Sequence, residues 1–220
     1  MHSDTTGSWT PVALSGDLPA GAVMSAQIPA EAIALWRSAS GRLSASADRC
    51  PHRGMRLSHG FVRGEALSCI YHGWSYAQTG HCLRIPAHPG LVPPETIRVA
   101  THAVEESGGI IWVSAGKPMG GPPRFEGLAP LRSLTVHADI ATIEAAAVAK
   151  AGPEGLLELD RGAGPICVLL SVQKDNTTLM HVLLSATAEP AAGIAASRAV
   201  ESLRRKAEAL QTTGVAPCRQ

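Results

Sequence analysis

Several features that would assign a protein class at once are missing from this chain of 220 residues. Its start, MHSDTTGSWT, has neither a basic nor an apolar segment, so we do not expect it to act as a secretory signal. No run approaches the roughly 18 consecutive apolar residues of a membrane-spanning helix. The net charge of +1 does not favour nucleic acid or an anionic membrane as a partner. We therefore expect neither a membrane nor a nucleic acid among its partners.

Cysteine is scarce and odd in number, with five residues in the chain. An odd number without an export signal is typical of a reducing cytoplasm rather than of a disulfide-bonded secreted protein. We therefore expect a cytoplasmic protein. Cys50 and Cys69 belong to the motif described below, whereas Cys82, Cys167 and Cys218 are expected to be ordinary thiols.

Aromatic residues are also unevenly spread, because every Trp, Tyr and Phe lies at or before Phe125. Residues 9–116 contain short, partly alternating apolar runs separated by Gly, Pro, Asp or Ser, which predicts an all-β domain with a hairpin turning at Gly80. Residues 117–130 hold most of the local Pro and Gly and are predicted to be a linker. Residues 131–213 are predicted to form a small α+β domain.

The α+β prediction rests on three patterns. Leu134, Val136, Ala138 and Ile140 alternate as in a strand, and PICVLLSVQ and TTLMHVLLSA flank KDN as in an antiparallel hairpin. From Glu189 onward the apolar residues recur with the period of an α-helix. One face of the predicted helix carries Ala196, Val200, Leu203, Ala207 and Leu210.

The strongest motif is C-x-H, sixteen intervening residues, then C-x-x-H, formed by Cys50, His52, Cys69 and His72. Two thiolates and two imidazoles suit a cluster of two irons and two sulfides. Because each half of the motif can send one ligand to each iron, we predict Cys50 and Cys69 on one iron and His52 and His72 on the other. Structural zinc with Cys₂His₂ ligation is the alternative, although C-x-H is tighter than the usual spacing of a zinc site.

The segment CPHRGMRLSHGFVRGEALSCIYHGWSYAQTGHCLRIPAHPG, residues 50–90, closely resembles the Rieske domain of the Rieske-type non-haem iron oxygenases. The resemblance covers residues 9–116 and implies three stacked antiparallel sheets with a [2Fe-2S] cluster at the tips of two loops. It also implies histidine edges near the surface, where electrons enter and leave. In this family, subunits form rings, and the cluster of one subunit passes electrons to the mononuclear iron of its neighbour.

The resemblance also separates this chain from respiratory Rieske proteins. Met55 and Tyr71 stand where that type has a disulfide-forming pair of cysteines, and Trp74 stands where it has a serine that hydrogen-bonds the cluster. Fewer donors to the sulfurs predict a potential below about 0 mV, near the low end of the Rieske range. The exposed edge around Arg53, Met55, Tyr71 and Trp74 is the predicted docking surface for electron partners. His59, His81 and His88 are expected to be ordinary loop histidines.

Oxygenases of this family hold a mononuclear Fe(II) through H-x₄-H and a carboxylate, and this sequence contains no such histidine pair. The end of the chain, from GPICVLL into the final helix, resembles the hairpin and long helix of the family's helix-grip catalytic domain, here shortened. We therefore expect neither a mononuclear iron nor a substrate cavity in this chain. It remains open from the sequence whether His137, Asp139, Glu144 and His181 form an unorthodox metal site.

These expectations combine into one functional hypothesis. The chain is expected to be an electron-transfer and assembly subunit of a hetero-oligomeric Rieske oxygenase, an oxidoreductase component rather than a catalyst alone. Its partners would be a full-length catalytic subunit and an NAD(P)H-dependent reductase or ferredoxin. The alternatives are an independent Rieske ferredoxin-like carrier and a self-sufficient oxygenase with a non-standard mononuclear iron site.

Overall fold

The computed structural model describes residues 7–159 and 165–214, so Cys218 lies outside the described residues. The strands are β1 (Trp9–Leu14), β2 (Val23–Gln27), β3 (Ala32–Arg37), β4 (Leu43–Ala47), β5 (Phe61–Arg63), β6 (Ala66–Ser68), β7 (Ser75–Tyr76), β8 (Cys82–Arg84), β9 (Thr101–Ser107), β10 (Ile110–Ser114), β11 (Leu128–Val136), β12 (Leu156–Leu159), β13 (Ile166–Val172) and β14 (Thr178–Ser185). The α-helices are α1 (Ile140–Ala147) and α2 (Pro190–Thr213). The described residues separate into two compact units, 7–106 with 111–122, and 107–110 with 123–159 and 165–214.

The first unit confirms the predicted antiparallel all-β fold. Its described strands form a six-stranded sheet in the order β1-β10-β9-β4-β3-β2 and a four-stranded sheet in the order β5-β6-β7-β8. The resemblance implied three sheets here, and the difference comes from one short ladder. β4 and β9 pair only at Ala45–His102 and Ser46–Thr101, which joins two three-stranded halves into one sheet.

The four-stranded sheet of the first unit carries the two loops of the metal motif. The first loop follows β4 and ends in a short 3-10 turn over Leu57–His59, and the second loop connects β6 to β7. The predicted hairpin at Gly80 is confirmed, because β7 pairs with β8 around this glycine, whose φ of 80° suits a residue without a Cβ. This sheet therefore presents both loops from one rigid base.

The second unit confirms the predicted α+β fold. Its four-stranded antiparallel sheet has the order β11-β14-β13-β12, and β13 and β14 form the hairpin expected from their sequences. Helix α2 buries Ala196, Val200, Leu203 and Ala207 against the sheet, as the helical period predicts. Neither α1 nor α2 has the length and apolar character needed to cross a membrane.

The predicted bounds of one strand in the second unit, β11, were wrong. Strand β11 begins at Leu128, inside the segment predicted as a linker, and it stops at Val136 rather than continuing to Ile140. Helix α1 starts at Ile140 because the carboxylate of Asp139 accepts a hydrogen bond from the N–H of Thr142 at 2.8 Å. This cap satisfies a backbone donor at the helix start, which local alternation alone does not reveal.

Candidate metal centre

The first loop places Cys50 and His52 at the end of the four-stranded sheet. The N–H of Cys50 donates to the carbonyl of Met55, and the N–H of Gly54 donates back to the carbonyl of Cys50, both at 2.8 Å. Gly54 adopts a φ of 72°, a left-handed conformation that glycine adopts without steric cost. The loop is therefore a tight turn with its cysteine at the base and its histidine near the tip.

The second loop repeats this backbone arrangement around Cys69 and His72. The N–H of Cys69 donates to the carbonyl of Trp74 at 2.9 Å, and the N–H of Gly73 donates to the carbonyl of Cys69 at 3.0 Å. Gly73 has a φ of 69°, and it occupies the same position after its cysteine as the glycine of the first loop. The two halves of the motif thus form two loops of one type, which differ only in whether histidine comes second or third after cysteine.

The two thiols lie together on the buried side of the loops. Cys50 and Cys69 are both buried in one core cluster. Burial raises the pKa of the Cys69 thiol, and the adjacent Cys50 adds to this rise. The backbone N–H groups of Tyr71 and His72 act in the opposite direction on that pKa, because they donate to the sulfur.

The two imidazole rings lie together on the outer side. The ring centroids of His52 and His72 are 4.6 Å apart. The Trp74 ring stacks on His52 at 4.3 Å with an interplanar angle of 5°, and the Tyr71 ring lies 3.9 Å from His72. Partial burial, followed by the nearby His72 and Arg53, lowers the pKa of His52, which favours the neutral ring that metal binding requires.

Tyr76 is a residue of this centre that the sequence analysis missed. Its side chain is 2% exposed, and its hydroxyl lies 3.0 Å from the sulfur of Cys50. Burial, and then the contact with Cys50, raise the pKa of Tyr76, so the phenol stays protonated and can donate to the sulfur. Its position on β7, directly after the second loop, could have indicated this role, because a buried tyrosine hydroxyl needs a hydrogen-bond partner.

The predicted docking residues differ in how far they reach solvent. Arg53 is exposed and Tyr71 is 57% exposed, whereas Met55 and Trp74 are half-buried against the core and the His52 ring. Ile70, which the sequence analysis did not select, is also 57% exposed beside Tyr71. The outer edge of the second loop therefore presents an apolar and aromatic surface.

The three other histidines near the motif lie outside this pair of rings. His59 is exposed at the end of the 3-10 turn, and His88 is exposed beyond β8. His81 is half-buried and forms an isolated bridge with Arg98. These positions fit ordinary loop histidines.

The four candidate metal ligands of the second unit do not come together. The carboxylate of Glu144 binds the Lys150 ammonium at 2.6 Å and the N–H of Ala151 at 3.0 Å. His181 is buried beside the Ser133 hydroxyl, with 2.7 Å between Nδ1 and Oγ. His137 is exposed, and Asp139 caps α1. Among residues 7–159 and 165–214, no group of three or more His, Cys, Asp or Glu side chains is arranged around a single metal ion.

The second unit contains a pocket that the sequence did not predict. Its volume is about 350 Å³, and it lies between the start of α2 and the adjoining ends of β13 and β14. The helix contributes only alanines at this point, at positions 192, 195, 196 and 199, so no large side chain fills the space. Nothing in the lining marks it as a substrate site, so the absence of a substrate cavity stays a prediction.

Comparisons with known proteins identify the first unit. The family model described as Rieske [2Fe-2S] domain matches residues 8–101. Oxidoreductase NdmD from Pseudomonas putida is 42% identical over 123 residues, which make up 56% of this chain and 21% of NdmD. A 3-chlorobenzoate-3,4-dioxygenase oxygenase subunit from Comamonas testosteroni is 35% identical over 126 residues, 54% of this chain and 28% of that subunit. This chain therefore spans less than a third of the length of either relative.

The fold comparison extends over nearly the whole chain. The structure of NdmA from Pseudomonas putida CBB5 matches with a TM-score of 0.73 at 19% identity, covering 96% of this chain and 83% of that chain. Identity this low supports a shared fold and no more. Residues 8–101 are a Rieske [2Fe-2S] domain, and Rieske oxygenases are among the homologues of this chain. This domain supports an electron-transfer or oxygenase-related role.

Proposed function

We propose that this chain is an electron-transfer and assembly subunit of a hetero-oligomeric Rieske-type oxygenase. In a cytoplasmic, ring-like complex it accepts electrons from an NAD(P)H-dependent reductase or a ferredoxin and delivers them to the mononuclear iron of a full-length catalytic subunit. The proposal rests chiefly on the pairing of His52 with His72 at 4.6 Å, next to the exposed Tyr71 and in front of the buried thiols. This arrangement leaves one edge of the centre open to a second protein.

The proposed ligands are Cys50 and Cys69 for one iron and His52 and His72 for the other. Two buried thiols of one core cluster and two adjacent imidazoles on the outer side would supply two ligands to each of two ions. Zinc, the alternative, would need all four side chains around one ion. When bound, a [2Fe-2S] cluster with this mixed ligation supplies a one-electron couple at a higher potential than ligation by cysteine alone.

We further propose that the catalytic iron belongs to another chain. The acidic candidates of the second unit support this, because Asp139 and Glu144 hold the two ends of α1 in place. A structural role of this kind leaves them poorly placed as metal ligands. The Comamonas relative is named as an oxygenase subunit, which is in keeping with a complex of several chains.

The proposed docking edge consists of Arg53, Met55, Tyr71 and Trp74, extended by the exposed Ile70. Apolar and aromatic side chains of this kind are common at the centre of protein interfaces. We expect Tyr71→Ser or Ile70→Ser to raise the KM for the electron donor about tenfold, the effect of losing one interface anchor. Val172→Ser is the matched control, because Val172 is 52% exposed on a strand of the other unit.

The proposed assembly can be tested by affinity purification of the tagged chain from the organism that encodes it, followed by native mass measurement. We expect a complex with a second chain that carries the H-x₄-H iron motif, and we expect reductase-dependent turnover only from that complex. A monodisperse monomer that passes electrons to several unrelated acceptors would instead identify an independent carrier. Turnover by the isolated chain would identify a self-sufficient oxygenase.

A further inference from the structure

Asp48 closes the first cluster loop at its entrance, two residues before Cys50. Its side chain is buried at 7% exposure, directly after β4. One carboxylate oxygen accepts the N–H of Ser58 at 2.6 Å, and the other accepts the Ser58 hydroxyl at 2.7 Å. A buried carboxylate is stable only when hydrogen bonds compensate for its lost hydration. The two bonds therefore hold the end of the loop, the exit segment at Ser58, against its beginning at Asp48.

The exit of the first loop is in turn packed against the base of the second loop. Leu57 is fully buried in the core cluster that contains Cys50 and Cys69. Gly60 lies so close to the backbone of the second loop that an added Cβ would stand 2.2 Å from the carbonyl oxygen of Ser68. Because Ser68 directly precedes Cys69, a shift of this exit segment moves one loop relative to the other.

We infer that Asp48 and Ser58 form a positioning pair that holds His52 in register with His72. The pair acts through the loop backbone, where the carbonyl of Cys50 accepts the N–H of Gly54 at 2.8 Å. The inference rests on the ligand set of the proposed function. It adds that the first loop keeps its shape because of a carboxylate outside the Cys/His motif.

The same unit contains a natural control for this contact. The carboxylate of Glu65 also binds one serine twice, through the N–H of Ser40 at 3.1 Å and its hydroxyl at 2.8 Å. This second pair ties the turn between β5 and β6 to the turn before β4 and belongs to neither cluster loop. Glu65→Ala therefore removes a carboxylate that binds one serine twice, here at an exposed position, without touching the proposed positioning pair.

The test compares metal release from the full-length chain and its variants in the presence of a chelator, together with the EPR spectrum after reduction. Asp48→Ala is expected to release metal about tenfold faster and to shift the EPR g values, because both bonds are lost. Ser58→Ala, which keeps the N–H bond, is expected to release metal about threefold faster. Ser58→Thr restores the hydroxyl and should stay within about twofold of the parent chain, as should Glu65→Ala.

The inference is overturned if Asp48→Ala and Ser58→Ala both stay within about twofold of the parent, or if Glu65→Ala accelerates release as much as Asp48→Ala. Should Asp48→Ala fail to fold, the metal release rates of Ser58→Ala and Ser58→Thr test the inference, and equal rates for these two variants overturn it. Failure of the proposed function is visible separately, in the metal content and EPR spectrum of the unaltered chain. If that metal is zinc, the release rates of the same variants still test the positioning pair.

Discussion

Tyr76→Phe removes one buried hydroxyl and leaves the ring that packs in the core beside the cluster loops. The hydroxyl lies 3.0 Å from the sulfur of Cys50, inside the range of a hydrogen bond to sulfur. Reduction would add one negative charge to a cluster bound here, and this charge would make its sulfur ligands stronger hydrogen-bond acceptors. A donor to one of these sulfurs therefore stabilises the reduced state more than the oxidised state.

The size of the effect follows from the strength of hydrogen bonds to charged and neutral groups. Bonds to a charged partner contribute about 1.5–3 kcal/mol and those to a neutral partner about 1 kcal/mol, so we take the gain on reduction as about 1 kcal/mol. For a one-electron couple, about 1.4 kcal/mol corresponds to about 59 mV. Tyr76→Phe should therefore lower the midpoint potential by about 40 mV.

The assay is a redox titration of the purified chain, followed by EPR or circular dichroism. The parent potential itself is expected below about 0 mV. Tyr71→Phe is the matched control, because it removes the hydroxyl of an exposed tyrosine that packs on His72. A shift of less than about 15 mV for Tyr76→Phe, a rise, or an equal shift in the control would refute the reasoning.

Three further predictions concern pH and packing. If His52 and His72 are ligands, reduction binds protons and the potential falls as pH rises into the alkaline range; a potential that is flat up to about pH 10 would contradict imidazole ligation. The Arg204 guanidinium lowers the pKa of Glu201 to about 2, so stability gained from this pair is present above about pH 4.3 and lost as pH falls through about 2. Glu201→Gln should thus destabilise at pH 5 but not near pH 2 in urea titrations, and an equal loss at both pH values would refute the linkage. Gly60→Ala should cost about 2 kcal/mol or more in the same titrations, because its Cβ would meet a backbone carbonyl at 2.2 Å. An unaltered stability would show that this close approach is wrong, and the open Gly90→Ala serves as control.

The cluster loops could be predicted because their determinants are local. Cysteine, histidine and a glycine four positions after each cysteine lie within one short segment per loop, and each glycine adopts the positive φ that the turn needs. The hairpin of β13 and β14 and the buried face of α2 are likewise visible in the period of their apolar residues. These parts of the fold and site follow from neighbours in sequence.

The features that escaped prediction depend on residues distant in sequence or on caps. The bond from Tyr76 to Cys50 spans 26 positions, so no local pattern announces it. Helix α1 begins at the cap at Asp139, whereas the alternation from Leu134 to Ile140 favours a strand that continues through this point. The pocket beside α2 forms where the alanines of the helix face the ends of β13 and β14. The helical period predicts which face of the helix a residue lies on, but it does not predict which residues pack against that face.

Metal and sulfide analysis of the complete chain, combined with EPR under reducing conditions, tests the central claim most directly. We predict two irons and two acid-labile sulfides per chain, and an EPR spectrum that reports two nitrogen ligands. A third iron is expected only in samples that also contain a catalytic partner. Loss of the signal in His52→Ala and His72→Ala variants, but not in His88→Ala, would assign these nitrogens. One zinc per chain, or three irons in the isolated chain, would contradict the account.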